Sequence, residues 1–553
     1  MDKNIVIIGG VAGGASCACR LRRLSEDYRI TLIERGEYVS FANCGLPYYI
    51  GGSITDKKKL VVMSPEKLKD RFNLDVKTLC EATSIDKANK TVSLEYSNGK
   101  NETIPYDKLV LSPGAKPFIP DFPGSDSNKV FTLRSIPDTY RIYDFIADKK
   151  PTDAMVVGGG FIGIEMAENL VDRGIKVHLV EAAPHIIGSI DTDMAHIVHT
   201  HMRKKGIDLI LNDSLTELGD NGNVLNAKLS SGKELSINMV IMSVGVRPEI
   251  KLAKDAGLEI GITGGIWTDE YMKTSDENIY AVGDAVEVTH FISGKPALIP
   301  LAGPANKQGR IAANNIFGIK DKYDGSQGTA VLKAFDLTVA STGYTEYQLK
   351  KLDYEYQVVH THPDSHAGYY PGGTILSMKL IFDNDGKILG AQSIGKNGAD
   401  KRIDVIATAM RGNIPVNDLY KLELAYAPPF SSAKDPVNMI GYIAENMLAN
   451  RTHMFYCDNI EKLNTEDIML LDVRTVPEFE KGTIPGAVNI PLDSLRYELD
   501  RIPHDKPIYI FCRSGLRGYV AERILKLNGF DQPLFNLSGG YLSYRFMMDD
   551  SNY

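Results

Sequence analysis

Short apolar runs alternate with helix-spaced apolar positions over the first half of the chain. Residues 4–8 form an apolar run too short for a helix and followed directly by glycine, which predicts a buried strand. Gly9-Gly10-Val11-Ala12-Gly13-Gly14 is the turn, Ala15 to Leu24 reads as a helix, and Ile30-Thr31-Leu32-Ile33 is a second strand ending at Glu34. The same order recurs downstream. Ala154-Met155-Val156-Val157 leads into Gly158-Gly159-Gly160-Phe161-Ile162-Gly163, a helix follows through Leu170, and the strand Val177-His178-Leu179-Val180 ends at Glu181. From about residue 326 to 445 no new dinucleotide-type glycine turn occurs. There Val331–Val339 and Ile375–Ile381 predict strands, Gly390–Ile394 a third, and Ile403–Met410 and Val437–Leu448 helices. After Ala449 the pattern changes again, with buried strands expected at Ile468–Val473 and Pro507–Phe511 and a helix beyond Gly518.

Strand, glycine turn, helix, strand and acid make a dinucleotide-binding fingerprint. The glycines let the backbone approach a pyrophosphate, the helix N-terminus favours its charge, and the acid takes ribose hydroxyls. The first copy departs from the full pattern, because Val11 stands at the usual second glycine. The second, with glycines at 158, 160 and 163, is complete. An acid at the strand end repels a 2′-phosphate, so Glu181 favours NADH over NADPH. Two fingerprints imply two dinucleotides in an α/β protein.

Composition narrows the class. The chain of 553 residues, 43% hydrophobic and 24% charged, is too long for one core and reads as several globular domains. A net charge of -8 leaves no basic footprint for nucleic acid. No apolar run approaches the ~20 residues that span a bilayer, so no membrane partner is expected. The N-terminus enters a strand at once without a cleavable signal, from which a cytoplasmic location is expected. Six cysteines make no disulfide framework. Cys17 and Cys19 sit two apart in a helical pattern and face away from each other, which disfavours a metal pair. Cys80 and Cys457 read as ordinary buried or partly buried thiols.

Cys44 and Cys512 stand apart because of their neighbours. Cys44 lies in Ser40-Phe41-Ala42-Asn43-Cys44-Gly45-Leu46-Pro47-Tyr48-Tyr49, just past the acidic strand end. Further on, Thr274–Ala285 contains a strand ending Gly283-Asp284. With these elements the chain resembles the two-dinucleotide flavoprotein disulfide reductases, whose dithiol members carry a second cysteine five positions after the first. Here that position is Tyr49. Ser-Phe-Ala-Asn-Cys is similar to the single-cysteine branch, the coenzyme A-disulfide reductases.

The resemblance implies two nested Rossmann-like domains, an α+β dimerisation domain and a homodimer. It implies FAD held by Gly9, Gly14, Glu34, Arg35, Ser112, Gly114, Arg134, Asp284 and Ala302. NADH or NADPH would lie on Gly158, Gly160, Phe161, Ile162, Gly163, Glu165, Glu181 and the crossover residue Gly245, with Glu165 orienting the nicotinamide. Coenzyme A would meet Arg20, Arg23, Ser40 and Asn43; the plainer reading of those arginines is a solvated basic face. Tyr369 and Tyr426, in Gly368-Tyr369-Tyr370-Pro371 and Ala425-Tyr426-Ala427-Pro428-Pro429, match tyrosines that serve the partner subunit's site, against the alternative of interface packing. His360-Thr361-His362-Pro363 is a rival proton donor, or simply a loop facing solvent. The expected divisions are 1–150 and 276–325 for FAD, 151–275 for NAD(P)H, 326–449 for dimerisation and 450–553 for the last domain.

The last domain resembles a rhodanese over nearly its whole length, from Asp472-Val473-Arg474 through Pro477–Ala487 and Cys512-Arg513-Ser514-Gly515-Leu516-Arg517-Gly518 to Leu537-Ser538-Gly539-Gly540. Backbone amides of such a loop cradle an anion, with Arg513 and Arg517 flanking and Asp472 and Arg474 bracing. Four residues between Cys512 and Arg517 suit transfer of a sulfur atom as a persulfide. At Cys44 the thiolate is the attacking species. A helix N-terminus supplies about 0.3–1 kcal/mol toward it, less than about one pKa unit. The remainder is expected from the flavin and a donor elsewhere. The expected reaction is reduction of coenzyme A disulfide, its persulfide, or polysulfide by NADH. The rivals are an NADH oxidase or peroxidase working through a cysteine sulfenic acid, and a redox-sensing scaffold.

Overall fold

A computed structural model describes residues 3–551. Residues 1, 2, 552 and 553, the outer ends of the expected first and last domains, lie outside the described residues. The chain forms two compact units, Met1–Ala182 with Ile210–Gly328, and Ala183–Leu209 with Thr329–Tyr553.

In the first unit a five-stranded sheet has the order Ile279–Ala281, Lys108–Leu111, Asn4–Ile8, Arg29–Ile33, Asp75–Lys77, parallel throughout. Its strands are short and apolar because both faces are covered; Ile5, Ile7, Leu32 and Val110 are all at most 1% exposed. Strand order reverses beside Asn4–Ile8, which opens a crevice at the carboxyl ends of the strands. A second parallel sheet repeats this, with Asp153–Val157 between Lys176–Glu181 and Met239–Met242. Helices Ala12–Leu24 and Phe161–Asp172 leave the two glycine turns. Small antiparallel sheets, Cys80–Asp86 with Thr91–Tyr96 and Asn101–Pro105, and Leu215–Asp220 with Leu225–Leu229 and Glu234–Ile237, complete the unit.

The second unit holds a five-stranded antiparallel sheet ordered Ala330–Ala334, Leu337–Gly343, Ile388–Gly395, Leu376–Phe382, Gln357–Thr361. The single strand expected at Val331–Val339 is instead a hairpin. Ala334 pairs with Leu337, and Phe335 takes a left-handed φ of 56° in the two-residue turn. The turn residues are Phe335 and Asp336, without the glycine or asparagine that usually marks a two-residue hairpin turn. Helices Ala399–Arg411 and Pro436–Leu448 pack here, tied by a buried ion pair between Arg402 Nη2 and Asp435 Oδ2 at 2.9 Å. A separate parallel sheet follows, ordered Met454–Phe455, Leu534–Leu537, Ile508–Phe511, Met469–Asp472, Val488–Asn489, with helices Leu516–Leu527 and Gly540–Ser551.

Helix Thr192–Lys204 belongs to this second unit, although it follows the second fingerprint in sequence. Its start supplies acids to a fully buried lysine. Lys379 Nζ lies 2.8 Å from Asp193 Oδ2, 3.0 Å from Asp191 Oδ2 and 2.5 Å from Glu346 Oε1. The reading of His360–Pro363 as a solvent-facing loop is overturned. His360 and Thr361 end a strand, and His360 and His362 are both buried. His360 Nε2 meets Asp193 Oδ2 at 2.8 Å and its Nδ1 meets Ser538 Oγ at 2.9 Å. His362 lies between Ser377 and Ser543, and burial pushes its pKa down to about 3. Among the described residues no helix is long and apolar enough to cross a membrane.

Candidate active site and sulfur-carrier loop

Both glycine turns have the backbone that a bound pyrophosphate requires. Gly9 has φ +99°, and a Cβ there would stand 2.0 Å from the Ser112 carbonyl oxygen; Gly158 has φ +103°, with the Ser243 carbonyl oxygen 2.5 Å from the equivalent point. Only glycine fits either place. The two strand-end acids are anchored by the turns themselves. Glu34 Oε2 accepts from the Gly10 amide at 3.0 Å and its Oε1 from the Gly36 amide at 2.9 Å, while Glu181 Oε2 accepts from the Gly159 amide at 2.6 Å. Each carboxylate keeps acceptor capacity for a ribose hydroxyl. Neither following helix carries an acid in its first turn. These features fit FAD at the first turn and a nicotinamide dinucleotide at the second.

The remaining flavin candidates fall around the first crevice. Asp284 Oδ2 is 3.4 Å from Arg134 Nη2, and a Cβ on Gly114 would lie 2.9 Å from the same nitrogen. The Gly283 amide donates to Oε1 of Gln308 at 2.7 Å. Gln308 is buried on helix Ala302–Ile316 and was not singled out from sequence; its one signal is a polar position on an otherwise apolar face. Ala302, the first residue of that helix, is exposed. Arg35 pairs in bidentate fashion with Glu249 at 2.9 and 2.6 Å. On the nicotinamide side Ile162 is exposed and Phe161 half-buried. Gly245, at φ +105°, precedes the short strand Val246–Pro248, which pairs with Ala115–Pro117.

Cys44 sits in the turn Asn43–Gly45, immediately before helix Leu46–Gly51, and its side chain is exposed. Tyr49, where a dithiol enzyme has its second cysteine, is buried against Tyr143 with ring centroids 5.2 Å apart. Tyr48, one turn beyond Cys44, donates its hydroxyl to Glu165 Oε1 at 3.2 Å. It is a second residue that sequence reading missed. Burial raises the Glu165 pKa to about 7. The small contribution expected from the helix N-terminus is outweighed by the chain's own groups around Cys44. Partial desolvation, then the Glu165 and Asp284 charges, raise the thiol, and Arg134 opposes them only in part. A six-residue helix is too weak a dipole to outweigh two carboxylates.

Around the thiol, Asn43 Oδ1 is buried with no hydrogen-bond partner, an acceptor that a ligand could satisfy. Ser40 takes φ 49° and its carbonyl receives the Val62 amide at 2.8 Å. Arg20 Nε donates to Asn314 Oδ1 at 2.9 Å, and Arg23 is exposed. Arg22 between them is buried and spends its guanidinium on the carbonyls of Phe72, Ser25, Glu26, Tyr28 and Asn73. In the second unit the Tyr369 and Tyr426 hydroxyls meet at 2.7 Å while the rings remain 77% and 45% exposed. Their hydrogen bond raises the Tyr426 pKa. Tyr370 packs edge-on against His366 instead.

Cys512 follows strand Ile508–Phe511 at its carboxyl end and is 1% exposed. The Gly515 amide donates to its Sγ at 3.2 Å, and its carbonyl oxygen accepts from the Tyr541 amide at 2.7 Å. Arg474 and Asp472 form a buried pair, with Nη2 to Oδ2 at 2.6 Å, and Arg474 Nη2 also donates to the Gly482 carbonyl at 2.8 Å. Arg517 reaches Glu478 with both terminal nitrogens, while Arg513 is exposed.

Comparison with known proteins agrees with this geometry. The pyridine nucleotide-disulphide oxidoreductase family matches residues 3–309, the dimerisation domain of the same family residues 329–436, and the rhodanese-like domain residues 458–545. A coenzyme A disulfide reductase of Staphylococcus haemolyticus is 36% identical over 449 residues, 80% of this chain and all of that protein. The crystal structure of reduced CoADR-RHD from Bacillus anthracis shares 49% identity with a TM-score of 0.97, covering 99% of this chain and 98% of that one. An NAD-dependent persulfide reductase from A. fulgidus shares 37% identity with a TM-score of 0.92, over 98% of this chain and all of its own. The chain thus belongs to the pyridine nucleotide-disulphide oxidoreductases, enzymes that work with FAD and NAD(P)H, and carries their dimerisation domain followed by a rhodanese-like domain.

Proposed function

We propose that this protein is a homodimeric, cytoplasmic reductase that uses NADH or NADPH to reduce coenzyme A disulfide, coenzyme A persulfide or polysulfide through Cys44. The observation that carries the reading is a single exposed thiol, Cys44, on a two-dinucleotide scaffold, with an aromatic ring buried where an internal partner thiol would stand. All six cysteines are free, as expected in a reducing compartment. With no second thiol beside it, Cys44 must exchange disulfides with a diffusible molecule.

FAD, when bound, supplies the passage of electrons from reduced nicotinamide to sulfur. The chain's own groups hold the reactants and move protons. Glu181 selects against a 2′-phosphate, and Glu165 orients the nicotinamide. Arg20 and Arg23 meet the phosphates of coenzyme A, while Ser40 and Asn43 hold its chain beside Cys44. The Cys44 thiolate attacks one sulfur of the substrate; a new S–S bond forms, the old one breaks, and the departing sulfur takes the electron pair. Tyr369 and Tyr426, supplied by the partner subunit, donate protons or hydrogen bonds to the sulfur anions. Cys512 accepts sulfane sulfur as a persulfide and delivers it to coenzyme A or to Cys44.

Cys44→Ser should lose NADH oxidation driven by coenzyme A disulfide and by coenzyme A persulfide while keeping its bound flavin. Parent-like turnover of that variant would sink the reading. Oxygen consumption at the parent's full rate without any sulfur substrate would point to the oxidase instead.

A further inference from the structure

The loop of Cys512 carries an arginine locked onto a carboxylate, and the inference drawn from it rests on Cys512 being the sulfane-sulfur carrier. Arg517 donates from Nη1 to Glu478 Oε2 and from Nη2 to Glu478 Oε1, each at 2.7 Å. Glu478 is held in place independently. Its Oε2 also accepts from the Thr475 amide at 3.0 Å and from Thr475 Oγ1 at 2.9 Å, in the capping box of helix Val476–Glu480. Arg474, the other nearby guanidinium, is fully committed to Asp472, Glu478 O and Gly482 O. Of the two arginines in the Cys512 loop, Arg517 is thus offset by the Glu478 carboxylate, and Arg513 is exposed.

We infer that Glu478 sets the donor specificity of this domain, turning it away from thiosulfate and toward organic persulfides of low charge. With a persulfide, R–S–SH, the Cys512 thiolate attacks the terminal sulfur. The bond between the two donor sulfurs breaks, Cys512–S–SH forms, and RS⁻ leaves with the electron pair. At the reacting sulfurs only one negative charge is handled throughout. With thiosulfate the same attack gives Cys512–S–S⁻ and sulfite dianion, so three negative charges must be held. Glu478 cancels one of the cations that would hold them, and the Arg517 bond fixes it where the charge develops.

The test uses the full-length flavin-loaded protein, with sulfur transfer to cyanide measured from sodium thiosulfate and from glutathione persulfide, each corrected for the uncatalysed rate. Glu478→Gln should raise the ratio of kcat/KM for thiosulfate over that for the persulfide by about tenfold, one unit charge's worth at partly screened range. Added salt should shrink that difference. Glu478→Asp, which keeps the charge, should keep the parent's ratio. A parent-like ratio in Glu478→Gln, or an equal loss of both donors in both variants, overturns the inference. Cys512→Ser separates the two layers: transfer at the parent's rate in that variant would remove the carrier reading itself. A dead Cys512→Ser beside an unchanged Glu478→Gln ratio would remove only the specificity.

Discussion

At the scale of single residues, the pair Tyr48–Glu165 links the Cys44 turn to the helix of the second fingerprint. Cys44 and Tyr48 are one turn apart, and the Tyr48 hydroxyl reaches a carboxyl that titrates near neutrality. An ionised Glu165 disfavours the Cys44 thiolate, so protonating it releases the thiol. Glu165→Gln should therefore lower the pH midpoint of Cys44 alkylation by iodoacetamide in the reduced enzyme. It should also remove the inflection near pH 7 from kcat/KM for NADH. An unchanged alkylation midpoint would show that the two groups do not communicate. The place of Cys44 just past the first fingerprint was legible in the sequence, through its Ser-Phe-Ala-Asn-Cys setting. Tyr48 was not, since its meaning depends on a helix from a different fingerprint packing beside it.

At the scale of elements, helix Leu516–Leu527 leaves the Cys512 loop and carries a buried acid, Glu522. Its carboxyl accepts from Thr452 Oγ1 and from the His453 amide, yet burial still raises its pKa to about 7. A carboxyl raised above its unfolded value of about 4.3 holds its proton more tightly when folded. Its contribution to stability is complete below about pH 4 and is lost as pH rises through about 7. Glu522→Gln should therefore be more stable than the parent at pH 8, by on the order of 3 kcal/mol. The two proteins should converge near pH 4. Thermal melts at the two pH values test this, and a parent-like melt at pH 8 would contradict it. Elements built on one apolar run were read correctly where a glycine or an acid ended them. The hairpin at Phe335 was missed because its turn, Phe335-Asp336, holds no glycine or asparagine and only the strand pairing marks it.

At the scale of the whole molecule, the paired Tyr369 and Tyr426 hydroxyls are exposed in their own chain, which suits service to a neighbouring subunit. Subunit complementation tests this. Cys44→Ser and Tyr426→Phe homodimers should each be weakly active or inactive. Unfolded together and refolded as mixed dimers, they should recover about a quarter of the parent's specific activity, because half the dimers hold one intact site of two. No recovery, with mixed dimers verified by tagging, would place the tyrosines at their own chain's site.

The sequence alone determined the strand–glycine–helix–acid repeats, the missing second thiol at Tyr49 and the Cys512 loop. Each is set by neighbours close in the chain, where backbone sterics and short spacing leave little choice. Tertiary structure decided what lies far apart in sequence. It buried His360 beside Asp193 and Ser538 and His362 between Ser377 and Ser543, closed Arg517 onto Glu478, and raised the Cys44 thiol through desolvation and then Glu165 and Asp284. Charge and desolvation act through space, so a proton's preference at any of these groups is set by residues that the linear order does not place beside it.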